Sequence, residues 1–288
     1  GFYHAIMSVC DPGDEVILMS PYFFNHEMAV CMANCRPVLV PTDSNYQLQL
    51  DAIRASLSDR TRAIVTVSPN NPAGVVYAPE TIAEVNRLCV EHDLYHFCDE
   101  AYEYFTYEGA RHYSAGSAAE SRMHTVSMFS FSKSFALASW RVGYMVWPRH
   151  LLRAFEKSQD TILICPPVVS QIAAIGALKA GSAYIDERIE TLARVRRMCL
   201  ERLDELGSSC FVPEASGAFY LLASLDCDLG SMHVVKRLIT EFGVAVLPGT
   251  GFGLEDDCRI RIAYGALEPH TVAEGTDRLV KGLKSIIQ

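Results

Sequence analysis

The chain has 288 residues, half of them hydrophobic and one fifth charged, with a formal net charge of −9. That length and apolar fraction allow a sizeable core split over two domains and argue against disorder. The acidic balance argues against a nucleic-acid surface, which needs clustered Lys and Arg, and no apolar run approaches the roughly 20 residues that span a bilayer.

In chain order, "GFYHAIMSVCDPGDEV" reads as a helix already under way, ended by the Asp11-Pro12-Gly13 turn, so the reading expects further chain upstream of Gly1. β-rich runs follow at 15–19, 36–40, 62–67, 94–98, 124–129 and 141–147. Between them lie amphipathic stretches such as "PETIAEVNRLCVEH" (79–92), opened by Pro79 and an acid as a helix start should be. This alternation predicts an α/β fold with a mostly parallel sheet covered by helices.

From Leu151 the texture changes. Longer helical segments at 168–180 and 184–206 precede strands at 217–224, 244–248 and 259–264, and a last helix is expected from Pro269 to Ile286. The division predicted is a large domain over 1–150, a linking helix over 151–164 and a small α+β domain over 165–288. "RVRRM" (194–198) is expected on the solvent face of its helix. The ten cysteines are scattered singly, without a C-x-x-C pair; they suggest a reducing cytoplasm and no metal, with Cys31 and Cys35 packed on one helix face.

In open parallel sheets, ligands sit beyond the carboxyl ends of the strands, so polar residues just after the strands are the candidates. Asn70 and Asn71 lie in a Pro-rich turn after one strand. Asp99, with Tyr102 three residues on, follows a second, and Ser130, Ser132 and Lys133 follow a third. Singly, each has an ordinary alternative: a turn, a helix N-cap, a loop lysine. Together they are the set that a pyridoxal phosphate site needs. A desolvated lysine can lose its proton and form a Schiff base, and a carboxylate can stabilise a protonated ring nitrogen. Hydroxyls and a guanidinium can hold a dianionic phosphate, and an aromatic face suits a flat ring.

The segments "DPGDEVILMSPYF", "SPNNPAGVVY", "CDEAYEYF", "SFSKSFALASWRVGY", "PGTGFG" and "RIRIAYG", in that order from Asp11 to Gly265, resemble the fold-type I aminotransferases of class I/II, the aspartate aminotransferase-like family. The resemblance implies a seven-stranded-type sheet, pyridoxal 5'-phosphate as cofactor, and amino transfer between an L-amino acid and a 2-oxo acid. By position it implies that Lys133 forms the Schiff base and shuttles the proton, and that Asp99 pairs with the ring nitrogen. Tyr102 and Asn71 would bond the phenolic oxygen. Ser130, Ser132 and Arg141 would hold the phosphate, Phe23 (or Tyr22) would stack on the ring, and Arg261 would clamp the substrate carboxylate.

The resemblance also implies a homodimer and a phosphate-binding Gly-Ala or Gly-Ser pair just before Gly1, so that the chain reads as N-terminally truncated. Two alternatives stay open. One is elimination chemistry on the same site, as in carbon–sulfur lyases or aminocyclopropane-carboxylate synthase-like proteins. The other is an aminotransferase-like regulator domain.

Overall fold

The computed structural model describes residues 1–255, 258–265 and 268–287. The large sheet is built from β1 (Glu15–Ser20), β2 (Arg36–Pro41), β3 (Thr61–Val67), β4 (Tyr95–Asp99), β5 (Thr125–Ser130) and β6 (Gly143–Val146). Its spatial order is β2-β1-β3-β4-β5-β6, parallel throughout except for the antiparallel β5/β6 pair. Among the described residues it has six strands, one fewer than the seven-stranded type expected.

The helices of this part are α1 (Phe2–Val9), α2 (Phe24–Met32), α3 (Leu50–Ala55), α4 (Pro79–Glu91) and the single turn α5 (Phe131–Ser134). After β6 come α6 (Leu152–Ile162), α7 (Val168–Ala180) and α8 (Ala183–Asp204). The second sheet holds β7 (Cys210–Phe211), β8 (Tyr220–Leu225), β9 (Leu247–Pro248) and β10 (Arg259–Ala263), antiparallel in the order β7-β8-β10-β9. It is accompanied by α9 (Ser231–Phe242) and α10 (Pro269–Ile286).

Strand periodicity explains the layering. Along β1, Val16 and Leu18 enter one core with Ala5 and Ile6 of α1 and Phe155 of α6, while Ile17 and Met19 enter another with Val85 and Leu88 of α4. Successive side chains point to opposite faces and both faces are covered, hence the unbroken apolar run. On β8, Leu221 and Ala223 pack against α8, α9 and α10, whereas Leu222 turns into the core of the large sheet. One strand of the small sheet is thereby seated on the large one.

Several expectations change. The 244–248 run yields strand pairing only at Leu247 and Pro248, and α3 and α9 are additional to the expected elements. Cys31 and Cys35 share no helix face: α2 ends at Met32, the exposed Cys31 thiol donates to Glu27, and the buried Cys35 thiol donates to the Asp11 carbonyl. Within "RVRRM", Arg196 is buried rather than solvated, because Nε donates to the Ala215 carbonyl and Nη1 pairs with Glu108 at 3.0 Å. Among the described residues no single helix is long and apolar enough to cross a membrane.

Candidate active site

The carboxyl ends of β3, β4 and β5 lie side by side, which brings the turn after Val67, the turn after Asp99 and α5 to one edge of the sheet. β1 delivers the Tyr22–Phe24 segment to the same edge, and antiparallel β6 starts there, since Gly143 pairs with Ser130.

Asp99 ends β4. Its Oδ1 accepts from the Ala101 N–H at 3.1 Å, the turn that a strand-end Asp commonly makes, and its Oδ2 lies 3.0 Å from His26 Nε2 on α2. Because the carboxylate accepts, Nε2 carries the proton. Sequence reasoning missed His26. The available signal was its place three residues after Phe23, on a helix whose first turn caps the end of β1. The Phe23 ring packs perpendicular to that of His26, with centroids 5.3 Å apart.

Lys133 sits in α5, where the Ser130 side chain caps the turn by accepting from the Ser132 N–H at 3.2 Å. Its Nζ lies 6.0 Å from the centre of the Phe219 ring. Partial desolvation, followed by the charges of Arg141 and Arg261, holds its ammonium below the ordinary lysine range, which eases loss of the proton. Arg141 adopts a left-handed backbone conformation (φ 50) and donates to the Ala138 carbonyl at 2.7 Å. Its side chain is folded onto its own turn, and no bond joins it to Ser130 or Ser132.

The small sheet completes the edge. Arg261 on β10 donates from Nη1 to Asn71 Oδ1 at 2.8 Å, and its guanidinium lies 4.4 Å from the Tyr220 ring and 4.9 Å from the Phe252 ring. Arg261 Nε is buried without a partner, an open donor on an otherwise fixed fork. With Asn71 Oδ1 taken, its Nδ2 remains to donate elsewhere. Asn70 is structural: its side chain accepts from the Ala73 N–H and donates to Tyr77 Oη at 3.1 Å.

Tyr102 is buried, and its hydroxyl meets that of Tyr220 at 2.8 Å. Burial first, then Tyr220, pushes the Tyr102 phenol well above the ordinary tyrosine range, so it stays a neutral donor. Tyr220 carried no motif in the sequence. Gly74 lets the two sheets close at this point: its φ is +73, and a Cβ there would stand 2.2 Å from the Tyr220 carbonyl oxygen.

With an acid, an amine, a neutral phenol, a guanidinium fork and aromatic faces on one edge, the comparisons with known proteins become decisive. The family model for aminotransferases of class I and II matches residues 2–279. The chain belongs to this family. Its members use pyridoxal phosphate.

Aromatic-amino-acid aminotransferase 2 of Thermococcus litoralis is 34% identical over 276 residues, covering 94% of this chain and 70% of that protein. The aspartate/prephenate aminotransferase of Thermus thermophilus is 35% identical over 272 residues, covering 92% and 69%. Among solved structures, the aromatic aminotransferase of Pyrococcus horikoshii superposes with a TM-score of 0.93 at 32% identity, covering 99% of this chain and 77% of that one. These relatives favour amino transfer over elimination: the chain is a pyridoxal phosphate-dependent aminotransferase.

Proposed function

We propose that this edge is the aminotransferase active site, acting on an L-amino acid and a 2-oxo acid, and that the residues above carry the reaction. The donor set fits the cofactor chemically: Asp99 for a ring nitrogen, Tyr102 and Asn71 Nδ2 for a phenolic oxygen, Lys133 for an aldehyde, and Ser130, Ser132 and Arg141 for a phosphate. Bound there, the cofactor supplies an electron sink for the pair left when the substrate Cα loses its proton.

The chain's own groups do the rest. Arg261 holds the substrate carboxylate in its fork, with Nε free to form the second bond of a bidentate pair. Lys133 Nζ takes the proton from Cα and returns it on the other side of the transfer, a task for which its lowered basicity is suited. His26 keeps Asp99 oriented. Phe23, beside His26, and Phe219, beside Lys133, supply apolar surface to the site.

The observation that carries the reading is Lys133 itself, an amine placed with two guanidinium groups on the edge where Asp99 is anchored. Reconstitution with pyridoxal phosphate should give a visible absorption band that bleaches on adding amino acids. Lys133→Ala should lose the band and lower turnover by about four orders of magnitude. Retained turnover in that variant would sink the assignment.

The division into domains at 1–150, 151–164 and 165–288 belongs to the same proposal, although its last part includes residues outside those described. So do the cytoplasmic location and a homodimer. For the dimer the support is a series of apolar side chains on and before α7, with Ile164, Val168, Val169, Ile172 and Ile175 all more than half exposed. Sedimentation at micromolar concentration tests it, and a monomer would remove this part.

A further inference from the structure

Tyr220 touches both halves of the proposed site and has so far been given no task. It stands at the start of β8, directly across from Ala263 of β10, two residues along from Arg261. Its ring face receives the Arg261 guanidinium at 4.4 Å, and its hydroxyl meets Tyr102 at 2.8 Å, across the boundary between the two sheets. Both phenols are almost wholly buried, at 6% and 5% exposure, so neither hydroxyl exchanges its partner freely for water.

The two phenols share one hydrogen bond, and which of them donates has consequences. If Tyr102 donates to Tyr220, its proton is spent and it cannot bond an oxygen in the site. If Tyr220 donates, the Tyr102 proton is free to point into the site, and that outward bond is strengthened by the inward one, since chained hydrogen bonds polarise each other. A cation over a phenol's face draws electron density from the ring and favours that phenol as the donor. Arg261 occupies that position over Tyr220, while the ring neighbours of Tyr102 are the uncharged Phe105, Phe219 and Tyr220, each steeply inclined to it.

We infer that Tyr220 is a positioning residue for amino transfer: by donating to Tyr102 it aims the Tyr102 hydroxyl at the cofactor's phenolic oxygen, and it relays to that hydroxyl the state of the carboxylate clamp Arg261. When a carboxylate seats on Arg261, the cation over the Tyr220 ring is neutralised, the donated bond weakens, and the hold of Tyr102 on the phenolic oxygen relaxes. Substrate binding is thus reported to the cofactor through one side chain. The inference rests on the proposed site and assigns to it a residue outside the motifs that identified the family.

The test uses the reconstituted enzyme as wild type, Tyr220→Phe, Tyr102→Phe and the double variant. Phenylalanine at 220 keeps the ring under Arg261 and removes only the hydroxyl. The readouts are the pH midpoint of the cofactor's visible band, with and without 3-phenylpropionate as a carboxylate lacking an amino group, together with kcat, KM and Tm. A donor on the phenolic oxygen lowers the midpoint, so losing it raises the midpoint.

Tyr220→Phe should raise the midpoint by about half a pH unit and lower kcat about fivefold, with KM within about twofold because Arg261 keeps its ring and its Asn71 contact. Its response to 3-phenylpropionate should be smaller than that of the wild type, and in the Tyr102→Phe background removing the Tyr220 hydroxyl should change nothing further. An unchanged midpoint in Tyr220→Phe, or equal shifts that add in the double variant, would overturn the inference while leaving the site intact. A wild type with no Lys133-dependent band would overturn the site and the inference together.

Discussion

His26 and His96 are both buried polar side chains next to the residues of β4, and their surroundings assign them different work. His26, on α2, faces the Asp99 carboxylate at 3.0 Å, at the edge where the strands end. His96 lies on β4 itself, three residues before Asp99 and wholly buried, within a set of uncharged partners. Its Nε2 is 2.9 Å from Thr66 Oγ1, and Nδ1 accepts from Asn86 Nδ2 at 3.0 Å. The same Asn86 donates to Thr125 at 2.8 Å and accepts from His124 at 3.0 Å and Ser121 at 3.1 Å.

The first arrangement fixes a charge where a ligand can meet it. The second pairs donors with acceptors in a dry interior and leaves nothing to offer. Burial, with the nearby His124, depresses His96 to about 3, so it remains neutral near physiological pH. The lesson is that histidine burial alone does not mark a site; the charge and accessibility of the partner do.

The contrast can be broken most forcefully at Asp99. Asp99→Ala should lower kcat/KM about a thousandfold, the scale of losing a central electrostatic group, with only a small change in Tm. Steady-state kinetics beside calorimetry would check it. The inner network should behave in the opposite way. Asn86→Ala strands the His96, Thr125 and His124 groups and should cost about 3 kcal/mol of stability, while activity per folded molecule stays within about twofold. Urea unfolding monitored with activity measures both.

A smaller effect is expected from His26→Gln, which weakens the hold on Asp99 without removing the acid: kcat should fall about tenfold with KM little changed. A loss of stability without a change in kcat would assign His26 to the inner class.

At neutral pH the smallest signal is the protonation of His96. Its unfolded-state value is near 6.5 and its folded value near 3, so between those limits the unfolded chain binds the extra proton, and stability falls as pH drops through that window. Tm measured from pH 7 to 4 should decline less steeply in His96→Gln than in the wild type, by up to about 1.4 kcal/mol per pH unit once converted to free energy.

Much of this protein is written in local patterns. The apolar runs of β1, β3, β4 and β5 and the period of α4 follow from burial on one or both faces, so these elements could be placed to within a residue or two. The candidate residues Asn71, Asp99, Tyr102, Ser130, Lys133 and Arg261 stood out because each follows a strand or sits in a distinctive run. Short or end-capping elements were harder. α2 has apolar residues around most of its circumference and α5 is a single turn, so neither shows a clear period.

Contacts between distant segments required the fold. Nothing near Tyr220 marks it as a neighbour of Tyr102, 118 positions earlier, or pairs Arg261 with Asn71, 190 positions away. Beyond its place three residues after Phe23, nothing local distinguishes the His26 that faces a carboxylate from the His96 enclosed in amides and hydroxyls. The order of amino acids determined which strands and helices form and which reactive groups stand at their ends, because periodicity and turn chemistry act over a few residues. Only the tertiary structure decided which groups share a proton, since that depends on a few tenths of an ångström between chains brought together by packing.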